Sequence, residues 1–135
     1  MSTDSSADQK LRDAVDSLER ARPGFWTRTS LGVTRSLASI PALLDRNAYS
    51  ADTGRARVLL IGGLSGRAED VDVALHALEL YAGGGDALAL RVGLSAVPCV
   101  NPDGLRLNAG PGNGAGGNPS GPYPPEGDFY LDASD

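Results

Sequence analysis

The chain has 135 residues, and twelve Lys plus Arg against seventeen Asp plus Glu leave a formal charge of −5. With 41% apolar and 21% charged residues it has the composition of one globular domain with a real core. The acidic balance excludes a general nucleic-acid binder, no stretch has the ~20 apolar residues of a membrane helix, and the single Cys99 excludes an internal disulfide. The polar stretch Met1 to Lys10 lacks the apolar centre of a signal peptide, which with the free thiol predicts a cytoplasmic chain. One His and one Cys leave no basis for a soft-ligand zinc site within the chain.

Residues 6–22 are predicted as an amphipathic helix. Leu11, Val15 and Leu18 share a face, Ser5 or Ser6 could cap the helix, and Pro23-Gly24 ends it. Residues 25–50 read as mixed: Trp26 to Thr34 as strand then turn, and Leu37, Ile40, Leu43 and Leu44 at helical spacing interrupted by Pro41. Residues 56–61, followed by Gly62-Gly63, have the unbroken apolar pattern of a strand buried on both faces. A helix is expected over 68–82, with Val71, Leu75, Leu78 and Ala82 inward, early acids at Glu69 and Asp70, and Gly83-Gly84-Gly85 as its stop. A second apolar strand runs from Leu94 to Val100, cut by Pro98.

Strand, helix and strand make a βαβ unit with parallel strands and a right-handed crossover. Its ligand edge lies beyond the strand C-termini, at Gly62–Gly66 and Asn101–Gly104. From Gly104 to Gly127 the chain has eight Gly and five Pro and no hydrophobic period, which reads as a long loop. Phe129-Tyr130-Leu131 looks like the start of a further element. The predicted organisation is a polar tail and helix over 1–24, an α/β core over 25–104, and the Gly/Pro-rich end over 105–135.

Several chemistries compete at the two strand ends. Glycines before a helix N-terminus can present N–H groups to an anion, but Gly62–Arg67 matches neither G-x-G-x-x-G nor a Walker loop. An α/β anion or nucleotide binder, or a tight turn that needs glycine, are both compatible with it. Ser65 sits one residue short of a G-x-S-x-G elbow, because position 67 is Arg. The single His76, in the third turn of the following helix, is badly placed as its base and reads as a partly exposed partner of Asp72, beside the buried face at Leu75. Asn101-Pro102-Asp103-Gly104 reads as a structural turn, with Asp103 bonding back to nearby N–H groups and Gly104 taking positive φ. Cys99 reads as a small core residue.

Gly62-Gly63-Leu64-Ser65-Gly66-Arg67-Ala68-Glu69 after an apolar strand, and then Val97-Pro98-Cys99-Val100-Asn101-Pro102-Asp103-Gly104-Leu105, resemble the N-terminal half of the zinc carboxypeptidases and related deacylases, over roughly residues 55–105. Thr29-Ser30-Leu31-Gly32 resembles, more weakly, that family's early Ser-x-Gly turn. The resemblance implies an α/β fold with a partial carboxypeptidase-like sheet. It also implies zinc, held in the family by the His and Glu of Gly-Gly-x-His-x-x-Glu, with a Glu base activating water. Here Ser65 stands at the His position and Ala68 at the Glu position, and Glu69, one residue late, is a weak candidate ligand. The family's later oxyanion Arg, carboxylate-gripping Asn-Arg pair, second ligand His and base Glu find no counterpart, and no Arg follows Arg106.

The expectation is therefore a fragment of a hydrolase-like domain without peptidase activity or a tight zinc site. An alternative is a non-catalytic module that binds a peptide or small carboxylate through Arg67 and Ser65. The incomplete sheet predicts self-association if the chain ends at Asp135.

Overall fold

The computed structural model describes residues 4–51 and 54–107. Most of the Gly/Pro-rich stretch, and Phe129-Tyr130-Leu131, lie outside the described residues. The first helix, α1 (Asp4–Ala21), has Ser5 and Ser6 within its first turn. Leu11, Val15 and Leu18 are buried along one face, as their spacing requires. Gly24, in the left-handed region at φ 74°, turns the chain into the sheet.

Residues 25–50 form a hairpin. Strand β1 (Trp26–Val33) pairs antiparallel with β2 (Ser39–Asp45), from Trp26 opposite Asp45 to Ser30 opposite Pro41, with a register shift between Ser30 and Val33. The helical spacing of Leu37, Ile40, Leu43 and Leu44 is thus not expressed as a helix. Pro41 would break one, and pairing with β1 satisfies the backbone instead. Leu37 lies in the turn at φ 63°, where its N–H donates to the Thr34 carbonyl at 2.9 Å.

The βαβ unit is present. Strand β3 (Ala56–Ile61) pairs parallel with β4 (Val92–Val97), from Ala56 opposite Val92 to Ile61 opposite Val97. Between them run α2 (Ala68–Gly83) and a short α3 (Gly85–Ala89): the glycine run ends α2 as expected, and a second, short helix follows it. Strand β4 starts two residues before Leu94 and ends at Val97, ahead of Pro98. The chain then enters α4 (Pro102–Leu107), which takes up the first residues of the expected loop.

The four strands lie in the order β1-β2-β4-β3. This corrects one expectation: among the described residues β3 has β4 as its one neighbour, and its side chains are largely exposed where burial on both faces was expected. Leu59 is 60% and Ile61 50% exposed. Leu43, Ala96 and Leu60 are neighbours across three strands, and they join one core with Leu11, Val15, Leu18, Val71, Leu78 and Leu105. The helices therefore share one sheet face and one core. Fully buried Val15, Leu43 and Leu78 each contribute roughly 1.5–3 kcal/mol relative to exposure. Phe25, Trp26 and Tyr81 close one end, with the Trp26 indole donating to the Leu94 carbonyl at 2.9 Å. Among the described residues no helix is long and apolar enough to cross a membrane.

Candidate functional site

The two loops singled out by sequence meet at the C-terminal ends of β3 and β4. The ladder extends into them: the Gly62 N–H donates to the Val97 carbonyl at 2.8 Å, and the Val100 N–H to the Gly62 carbonyl at 3.0 Å. Gly66 has φ 72°, and a Cβ there would lie 2.8 Å from the Gly104 Cα. Gly63, at φ 67°, would place one 2.9 Å from the Cys99 Cα. These glycines allow two backbones to touch, which no side chain would permit.

Asn101 ties the loops together. Its Nδ2 donates to the Leu64 carbonyl at 3.2 Å, while its Oδ1 accepts the Gly104 N–H at 2.9 Å. The second bond is that of a helix N-cap, with Pro102 at the first helical position, where a missing N–H costs nothing. The Asn-Pro-Asp-Gly segment is therefore a helix start, not a tight turn. Gly104 is helical and does not take a positive φ, and it is its backbone that Gly66 approaches. Asp103 does not bond back as expected. Its Oδ1 accepts the Thr34 hydroxyl, 69 residues away, at 2.8 Å, which fixes the hairpin turn to this edge. Thr34 carries no local signal of that role, since the contact exists only once the sheet has formed.

The Ser65 hydroxyl donates to the Asp70 carboxylate and accepts the Arg67 N–H at 3.1 Å. Asp70, five residues on, was missed as a partner by the sequence reading. Arg67 is exposed at the N-cap position of α2, with extended backbone and no side-chain cap. Glu69 is exposed in the first turn. His76 faces solvent, its Nδ1 3.6 Å from Glu79, so its acidic neighbour is Glu79 and not Asp72. Cys99 is fully buried, and burial pushes its thiol up to about 11.

Zinc takes imidazole, thiolate or carboxylate donors. The Ser65 hydroxyl is a poor donor and is already engaged on both sides, and Ala68 has none. Among the described residues no group of three His, Cys, Asp or Glu side chains converges on a point. The residues present do not fit the metal that the sequence resemblance implies.

An antiparallel hairpin flanking a parallel βαβ unit, whose two glycine-lined loops are tied by an Asn, defines a mixed α/β sheet with its candidate site at the ends of β3 and β4. Among solved structures this is part of the metallocarboxypeptidase fold. The chain superposes on a metallo-carboxypeptidase from Burkholderia cenocepacia with a TM-score of 0.68 at 21% identity, over 82% of this chain and 31% of that one. Carboxypeptidase A from Helicoverpa armigera matches with a TM-score of 0.57 at 20% identity, over 76% of this chain and 26% of that one. No family model matches the chain, and no curated protein matches it in sequence. The chain spans about a third of the length of the solved structures it matches, in keeping with an N-terminal portion of the fold.

Proposed function

We propose that the chain is the N-terminal part of a zinc-carboxypeptidase-like hydrolase scaffold whose first metal-ligand pair has been replaced, and that it neither holds zinc tightly nor hydrolyses peptides. The observation that carries this reading is the Ser65 hydroxyl, bonded to Asp70 and to the Arg67 N–H where the family places an imidazole. Neutral hydroxyl and methyl groups at positions 65 and 68 supply no charge to bind a divalent cation. The test is metal analysis after dialysis against zinc, together with an assay for release of C-terminal residues from peptides. One retained zinc per chain with hydrolysis would overturn the proposal.

A second reading is favoured by Arg67. Its side chain is exposed beside the α2 N-terminus and enters no ion pair among the described residues. A guanidinium so placed can grip a carboxylate bidentately, as a peptide-binding module would need. Calorimetric titration with peptides bearing a free or an amidated C-terminus tests it. Binding only of the free acid, lost in Arg67→Ala with an unchanged melting curve, supports the module. Thermal stabilisation by nucleotides and not by peptides would instead select an anion binder.

A further inference from the structure

Three guanidiniums from three elements line the groove between α1 and the β1–β2 hairpin: Arg12 of α1, Arg28 of β1 and Arg106 of α4. One carboxylate, Asp8, lines it with them, in a chain whose formal charge is −5. The acids are distributed unevenly. Arg28 meets both Asp16 and Glu19. The Arg106 Nε lies 2.8 Å from the Asp8 carboxylate, and both side chains are largely buried. Arg12 donates from Nε to the Asp8 carbonyl at 3.3 Å and enters no ion pair among the described residues. Asp8 thus draws two guanidiniums to one place and neutralises one of them, which leaves a local positive potential. The Ser30 and Ser39 hydroxyls, 3.0 Å apart, add neutral donors on the strand side.

The turn beside these arginines carries a feature that the core does not explain. Leu37 is held at φ 63°, a conformation that glycine takes without strain and leucine does not. Its N–H donates to the Thr34 carbonyl, and the Thr34 Oγ1 accepts the Ala38 N–H at 3.1 Å while donating to Asp103, so the turn is fixed from both sides. Yet the Leu37 side chain is 81% exposed. It lines the same groove, as does Pro41. Strained residues fixed in this way gather at ligand sites, and an apolar wall beside a cationic one suits a ligand with an anionic group and an apolar body.

We infer that this groove binds a phosphomonoester, with its phosphate on Arg12 and Arg106 and its organic group against Leu37 and Pro41. A guanidinium fork matches two oxygens of a phosphate. A dianion offsets the surplus positive charge around Asp8 more fully than a monoanionic carboxylate does. The groove volume of about 500 Å3 exceeds what a bare phosphate fills and falls in the small-molecule range of roughly 300–1,000 Å3. None of the lining residues belongs to the Ser65–Arg67 loop, so the inference is independent of the hydrolase reading.

Calorimetric titration of the whole chain at low ionic strength tests it, with phenyl phosphate, inorganic phosphate and benzoate as probes. Phenyl phosphate is expected to bind at one site per chain, inorganic phosphate more weakly and benzoate weakest. Arg12→Gln breaks no ion pair, so it should keep the melting temperature and weaken both phosphate probes about tenfold. Leu37→Gly removes the strain together with the apolar wall. It should bring phenyl phosphate down to the affinity of inorganic phosphate, whose own binding stays unchanged. Arg67→Ala should keep the phosphate affinity of the wild type. Absence of saturable binding by either phosphate probe overturns the proposal, as does an affinity unchanged in Arg12→Gln. Binding lost in Arg67→Ala instead would move the anion to the α2 loop and overturn it equally. Benzoate bound as tightly as phenyl phosphate would overturn the phosphate assignment.

Discussion

Arg55 and Asp45 meet across β4 in a bidentate pair, with Nη1 2.9 Å and Nη2 3.1 Å from the two carboxylate oxygens. The same guanidinium donates to the Ala89 carbonyl at 2.7 Å and the Val92 carbonyl at 3.0 Å. It thereby joins the end of β2, the entry to β3 and the connection from α3 into β4. The pair passes over Gly93, where a Cβ would lie 3.1 Å from the Asp45 Oδ2. Hydrogen bonding to Asp45 is the largest influence on Arg55 and raises its pKa above the ordinary arginine value.

Both side chains are close to nine-tenths buried, which sets the size of the effect. Asp45→Ala leaves a buried guanidinium without its counter-ion and is expected to cost about 3 kcal/mol, as for other buried pairs broken on one side. The double variant Asp45→Leu/Arg55→Met removes both charges and is expected to recover most of that loss. Urea unfolding of the three chains checks this, and a double variant no better than Asp45→Ala would show that the carbonyl contacts of Arg55 carry the effect.

Asn101 offers a separate prediction at the candidate site. Asn101→Ala removes the cap of α4 and the tie to the Leu64 carbonyl, and a loss of roughly 2 kcal/mol is expected from the two bonds together. Asn101→Asp keeps the cap acceptor and loses the donor, so about half of the loss should return. Denaturant midpoints distinguish these outcomes, and equal losses in the two variants would assign the role to the Leu64 contact alone.

Gly66→Ala should be worse than either. The new methyl group would meet the Gly104 backbone at 2.8 Å, and the residue would be held at φ 72°, which disfavours side chains. Neither the loop nor α4 can move without breaking the Asn101 bonds. The expected result is a destabilisation larger than that of Asn101→Ala, with faster amide exchange at Gly104 and Leu105, whose N–H groups both bond to Asn101.

The elements that could be read from sequence are those fixed by local pattern. The Leu11, Val15 and Leu18 stripe specifies α1, and the apolar runs around α2 specify the βαβ unit. Of the hairpin over 26–45, β1 was legible and β2 was not, because Leu37 to Leu44 has a helical spacing that only pairing with β1 overrides. The exposure of β3 was hidden for a related reason, since composition reports how buried a strand is suited to be and not which neighbours it has. At the site, Gly62 to Arg67 and Asn101 to Gly104 stood out as motifs. Their roles did not, because the Asn101–Leu64, Gly66–Gly104 and Thr34–Asp103 contacts all join residues far apart in sequence.

Cys99 makes the stability of the chain depend on alkaline pH. Its thiol is raised from 9.0 to about 11, chiefly by burial, while the backbone hydrogen bond at Asn101 works in the opposite direction. In the unfolded chain the thiol ionises first, so between these two values the unfolded state binds fewer protons than the folded one. The contribution of Cys99 to stability is therefore constant below about pH 9 and falls as pH rises toward 11, by up to ~1.4 kcal/mol per unit and roughly 2–3 kcal/mol in all. Cys99→Ala, though less stable at neutral pH because of the cavity it leaves, should lack this part of the alkaline loss. Unfolding midpoints of the two chains across that window check the difference in slope. The same burial predicts that a thiol reagent labels the native chain only as fast as it opens, so labelling that tracks hydroxide concentration in the folded state would place the sulfur at the surface.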